Sequence, residues 1–141
     1  MIPPFDTRGY LPEGIHEATL YEIEKRLAIT PDRKRLFKGL KRLAIALKAA
    51  GCKTLYINGS YVTNKQEPGD YDAVWEYEGV NNALDPLLRD GWNLKRIKLK
   101  YRGDVFCRMP EILGVDHVEF FQQDRSGLPK GIIKIDLRKR L

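Results

Sequence analysis

Two short groups of residues in this chain have the types and the spacing to handle a phosphate. Gly59-Ser60 is followed, after nine residues, by Asp70-Tyr71-Asp72. A glycine has no Cβ, so a ligand can come close to the backbone there. Ser60 adds a hydroxyl and an amide at the start of a turn, the groups that hold phosphate oxygens. Asp70 and Asp72 are two residues apart, so on a strand both side chains face the same way. Neighbouring carboxylates repel, and both ionise readily only with a cation between them. A hard divalent ion, magnesium or manganese, suits such a pair, with phosphate oxygens completing its shell. Lys65 lies between the two groups and is expected to reach a bound triphosphate. Lys130, in Leu128-Pro129-Lys130-Gly131, has the same standing.

These residues need elements that bring them together. Thr30-Pro31-Asp32 reads as a helix start, with a capping threonine, proline at the first helical position and an acid in the first turn. The helix should run to about Ala50, where Gly51 stops it. Leu36, Leu40, Leu43 and Leu47 recur at helical spacing and predict its buried face. Cys52–Ile57 and Tyr71–Tyr77 read as adjacent strands, joined by a loop over 58–69. A short helix is expected at Glu17–Leu27 and another at Asn82–Arg89, closed by Asp90-Gly91. Ile97–Tyr101 alternates apolar and basic residues like a half-exposed strand. Val115–Gln122 and Ile132–Leu137 read as further strands. Residues 1–16, with three prolines and two glycines, suggest an irregular arm. Helices first and mainly strands after predict an α+β domain, a mixed sheet with helices packed on one side.

The segment Gly59-Ser60-x9-Asp70-Tyr71-Asp72 resembles the signature of the nucleotidyltransferase superfamily related to DNA polymerase β. That signature is a Gly-Gly or Gly-Ser pair followed after about ten residues by Asp-x-Asp. The upstream helix and the strand–turn–strand context extend the resemblance over roughly residues 30–78. The proline-rich arm and the segment Glu119-Phe120-Phe121-Gln122…Lys130-Gly131-Ile132 also resemble a small family of uncharacterised bacterial proteins with this motif. The superfamily resemblance implies transfer of a nucleoside monophosphate from a nucleoside triphosphate to a hydroxyl, with magnesium or manganese held by Asp70 and Asp72. It implies a protein or RNA acceptor, and loosely a role in a toxin–antitoxin pair. It also implies a third carboxylate on a neighbouring strand, completing the metal site and activating the acceptor hydroxyl. On the expected Val115–Gln122 strand, Glu119 is the first candidate and Asp116 the second. The second reading keeps the fold without turnover, as a module that binds a partner protein.

Composition narrows the alternatives. Of 141 residues, 43% are hydrophobic and 31% charged, enough apolar surface for one folded domain of this length. No apolar run reaches the ~20 residues of a membrane span, and Met1-Ile2-Pro3-Pro4 does not open like a signal peptide. Cys52 and Cys107 form no CxxC and have no histidine cluster, which argues against a zinc site and fits free thiols in a reducing cytoplasm. His16 and His117 stand alone. The net charge of +6 includes seven basic residues and no acid from Arg33 to Lys48, and five more from Lys95 to Arg102. That field favours phosphate-bearing partners. The chain has little room for a separate acceptor domain, so either the acceptor is itself a protein or an oligomer builds the second wall of the cleft; a partner protein or a homo-oligomer is accordingly expected. A third reading, a nucleic-acid binder to which the aspartates are irrelevant, is argued against at the Asp70–Asp72 face, where paired carboxylates without metal repel phosphate, though not at the basic helix.

Overall fold

The computed structural model describes residues 1–141. Five strands, β1 (Ile15–Glu17), β2 (Thr54–Asn58), β3 (Tyr71–Trp75), β4 (Gly103–Cys107) and β5 (Ile132–Asp136), form one sheet in the order β1-β5-β2-β3-β4. The sheet is mixed: β1–β5 and β3–β4 are parallel, β5–β2 and β2–β3 antiparallel. Six helices accompany it: α1 (Leu20–Leu27), α2 (Pro31–Ala49), α3 (Pro86–Asp90), α4 (Leu94–Tyr101), α5 (Pro110–Leu113) and α6 (His117–Phe120). The fold is α+β with a mixed sheet, and no helix is long and apolar enough to cross a membrane.

α2 begins at the expected cap, where Thr30 Oγ1 accepts from the Arg33 amide at 3.2 Å. Leu36, Leu40, Leu43 and Leu47 are fully buried against one face of the sheet, with Leu55, Ile57, Ala73, Trp75, Ile133 and Ile135. Burying a side chain of that size contributes about 1.5–3 kcal/mol, so the stripe anchors the helix. Gly39 lets α2 press against the end of α4, since a Cβ there would collide with the Tyr101 carbonyl.

α1, α3 and α4 feed the same core through Ile23, Leu88 and Ile97. The opposite face is not bare. There Tyr56, Val74 and Ile132 form a small cluster closed by Val118 of α6, so helices pack on both sides rather than one.

Four expected elements differ. Ile97–Tyr101 is not a strand but most of α4. Asn93 caps it, accepting from the Arg96 amide at 3.2 Å. Ile97 and Tyr101, four apart, are buried while Leu99 is 63% exposed, so helical spacing overrides the alternation. The strand follows at Gly103–Cys107, entered through Arg102, the one non-glycine residue with positive φ. Val115–Gln122 is not a strand either: its centre is the single turn α6, and Val118 is the buried residue of that turn. Glu17 closes β1, and α1 starts at Leu20 behind its cap Thr19, whose side chain and that of Glu22 cap each other's backbone amides. α3 waits for Pro86 behind its cap Asp85. The N-terminal arm is irregular up to β1 but firmly held, with Leu11 fully buried and the Asn64 amide donating to the Gly9 carbonyl at 3.0 Å.

Candidate phosphate and metal site

The loop between Ser60 and Asp70 is tied to the N-terminus of α2. Thr30 Oγ1 donates to the Gln66 carbonyl at 3.0 Å, and the Gly69 amide donates to Asp32 Oδ2 at 3.0 Å. Arg33 does most of the fixing. The residue is 2% exposed, and its guanidinium donates to the carbonyls of Lys65 (2.9 Å), Tyr61 (2.7 Å), Leu27 (3.2 Å) and Thr63. No carboxylate pairs with it. Carbonyl oxygens solvate the charge instead, and burial lowers its pKa. In the sequence Arg33 passes for one member of a solvated basic run. Its signal was spacing: it precedes Leu36 by three and Leu40 by seven, on the buried stripe.

β2 ends at Asn58, opposite Asp72, and so delivers Gly59 and Ser60 beside the start of β3. Gly59 has φ of 82°, and a Cβ there would stand 2.5 Å from Asp72 Oδ2. The glycine therefore makes the space in which the Asp72 carboxylate lies. Across the sheet Asn58, Asp72 and Asp104 are register partners on β2, β3 and β4. Each alternates with residues of the main core, so all three belong to the opposite face. Asp70 precedes β3 and joins them. Burial first, then the charges of Asp70 and Asp104, push the Asp72 pKa up to about 6. The Lys98 ammonium, reaching from α4, lies 2.9 Å from Asp70 Oδ2 and 3.3 Å from Asp104 Oδ1. Lys130 is partly buried near Asp72. Burial lowers its pKa, and the charge of Asp72 opposes that.

No three acidic, histidine or cysteine side chains are drawn together tightly enough to hold an ion as they stand. Three observations nevertheless fit a cation and a phosphate here. The donors are hard carboxylate oxygens, the set magnesium and manganese prefer. A cation, the Lys98 ammonium, already bridges two of them. Asn58, fully buried opposite Asp72, has neither amide atom hydrogen-bonded. Such orphaned groups are rare in native interiors and call for an explanation, a polar ligand or ordered water among them.

Residues 3–136 match the model of a family of unknown function, DUF6932. The chain belongs to that family. No curated protein and no solved structure matches it.

Within this DUF6932 chain the expected site residues are divided. Gly59, Ser60, Asp70 and Asp72 come together at the start of β3. The Ser60 hydroxyl is only partly buried and makes no hydrogen bond as donor or acceptor within the chain. Lys65 is exposed, and its backbone rather than its ammonium is engaged, through Arg33 and Thr63. Glu119 does not join the acids: with its strand replaced by α6, it faces solvent. Asp116 caps α6, accepting from the Val118 amide at 3.0 Å, and is clamped by Arg108 at 2.9 and 3.1 Å. The acid that a neighbouring strand places beside Asp72 is Asp104, which lies outside every strand expected from the sequence. The pattern Gly103-Asp104-Val105-Phe106-Cys107 held the signal, an acid alternating with buried apolar residues, but it is short and directly follows a basic helix.

Proposed function

We propose that the chain is a metal-dependent nucleotidyltransferase with a nucleotidyltransferase-like fold, moving a nucleoside monophosphate from a nucleoside triphosphate to a hydroxyl of a protein or RNA acceptor. One observation carries this reading. Asp72 rests over Gly59 at the β2–β3 turn, with Asp70 beside it and Asp104 aligned on the parallel neighbour strand. Asp70, Asp72 and Asp104 are the residues that would hold magnesium or manganese, Asp104 replacing the expected Glu119. When bound, the metal supplies positive charge at the reacting phosphate and its leaving group.

The chain's own residues do the rest. Gly59 makes room for the Asp72 carboxylate against the backbone, and the Ser60 hydroxyl donates to the phosphates. Lys130 and Lys98 offset their charge. Asp104 orients the acceptor hydroxyl and takes its proton as oxygen bonds to the α-phosphorus and pyrophosphate leaves. Arg33 keeps the loop carrying Ser60 in place, so the phosphates meet a rigid wall.

Incubation with each α-labelled triphosphate, magnesium, bulk RNA and candidate acceptor proteins tests the reading. Transfer of label by the native chain, lost in Asp72→Asn, supports it. The absence of both triphosphate binding and transfer removes it. The second reading, a binding module without turnover, draws on the Lys98 ammonium, which stands where a cation would.

A further inference from the structure

Lys98 separates this site from a simple acidic pair, and its surroundings suggest what it does. Its ammonium bridges Asp70 and Asp104, acids from the loop before β3 and from β4. Its side chain is about half exposed, so it can swing away without any movement of α4. An exposed ammonium–carboxylate pair is weak, and lysine is a point charge on a flexible stem rather than a rigid fork. The contact therefore holds the acids without locking them. It also cancels much of their charge: with Lys98 and Lys130 present, the three acids offer a free divalent ion little net attraction. A triphosphate changes the balance. Its oxygens compete for the ammonium, and they supply the ligands a divalent ion lacks when only carboxylates are on offer. Asn58 is an independent sign that the face receives a polar ligand, because its buried amide is unpaired beside Asp72.

We propose that Lys98 is a displaceable latch: it holds Asp70 and Asp104 in the free chain, is drawn off by the triphosphate, and so makes divalent-ion binding depend on the nucleotide. This rests on the nucleotidyltransferase reading and adds to it the order in which the site fills. It also answers the second reading, since a latch that opens is not a permanent filling of the site.

Manganese binding followed by electron paramagnetic resonance, with and without a non-hydrolysable ATP analogue, tests the latch without needing an acceptor. The native chain should bind free manganese weakly and at least ~10-fold more tightly with the analogue. Lys98→Met should bind free manganese about 10-fold more tightly than the native chain and gain less from the analogue than the native chain does, keeping only the part that the phosphate ligands supply. Lys98→Arg keeps the charge and should bind free manganese as weakly as the native chain, while its planar fork, harder to draw off two carboxylates, should gain no more from the analogue than the native chain does. Lys95→Met, which removes one exposed charge from the same helix, should change manganese binding less than about twofold. Thermal melts confirm that each variant is folded. If Lys98→Met and the native chain bind free manganese equally, or if Lys98→Arg releases the site as Lys98→Met does, the latch is wrong while the metal site stands. If no form binds manganese with or without the analogue, the nucleotidyltransferase reading falls and takes the latch with it.

Discussion

The parallel strands β3 and β4 carry acids at both ends, and the two ends are built differently. Past their C-terminal ends, Glu76 and Asp116 are both bonded to Arg108, at 2.7 Å and at 2.9 and 3.1 Å. Arg108 lowers the Asp116 pKa, and its own is raised in return. At their N-terminal ends, Asp70 and Asp104 share one flexible lysine, while Asp72 is left with a pKa near 6. The first arrangement is satisfied: a planar fork meets its carboxylates with matching geometry. The second is under-compensated, with three acids, the Lys98 ammonium loosely held between two of them, Lys130 near the third, and a buried amide without a partner. Structural clips look like the first, and sites that await a ligand look like the second.

The largest expected difference between the two ends is in turnover. Asp104→Asn should depress nucleotide transfer by ~10²–10⁴-fold, the usual loss of general-base help. Asp116→Asn and Glu119→Gln should stay within a few-fold of the native rate. A dead Glu119→Gln beside an active Asp104→Asn reverses the assignment.

Arg33 ranks next. Arg33→Met leaves its carbonyl partners unsatisfied in the interior and should cost about 2–4 kcal/mol, read by urea unfolding. Melting unchanged by the substitution would mean the loop does not depend on it.

The clamp at the satisfied end is partly exposed, so its worth is smaller. Arg108→Met should cost about 1–2 kcal/mol and leave triphosphate binding intact.

Asp72 has the opposite sign. Its folded pKa, about 6, lies above the ordinary carboxylate value, so its favourable contribution belongs to the protonated form. That contribution is present below pH ~4 and is lost as pH rises through 6. Without metal, Asp72→Asn should therefore match the native chain near pH 4 and exceed its stability by about 1–2 kcal/mol above pH 6.5. An equal gap at both pH values would show that the effect is packing rather than charge.

Legibility in the sequence followed the same division. The α2 stripe, the β2 and β3 strands and the Gly59-Ser60…Asp70-Tyr71-Asp72 spacing were readable because each depends on local periodicity or a fixed offset. Asp104 and Lys98 were hidden by one misassigned segment. Ile97, Leu99 and Tyr101 satisfy a two-residue period, and two of them also satisfy the four-residue period that tertiary packing selects. With Ile97–Tyr101 expected as a strand, no strand is expected at Gly103–Cys107, and the neighbouring-strand acid falls on Val115–Gln122 instead. Arg33 was missed because a buried cation held by main-chain carbonyls leaves no complementary acid in the sequence to point at it.

The most direct measurement of the central claim is an anomalous difference map from crystals soaked with manganese and a non-hydrolysable nucleoside triphosphate. The account predicts a peak among Asp70, Asp72 and Asp104, next to phosphate density at Gly59 and Ser60, with the Lys98 ammonium moved off its carboxylates. A peak at Glu76 and Asp116 instead, or triphosphate density with Lys98 still bridging Asp70 and Asp104 and no metal beside them, would contradict it.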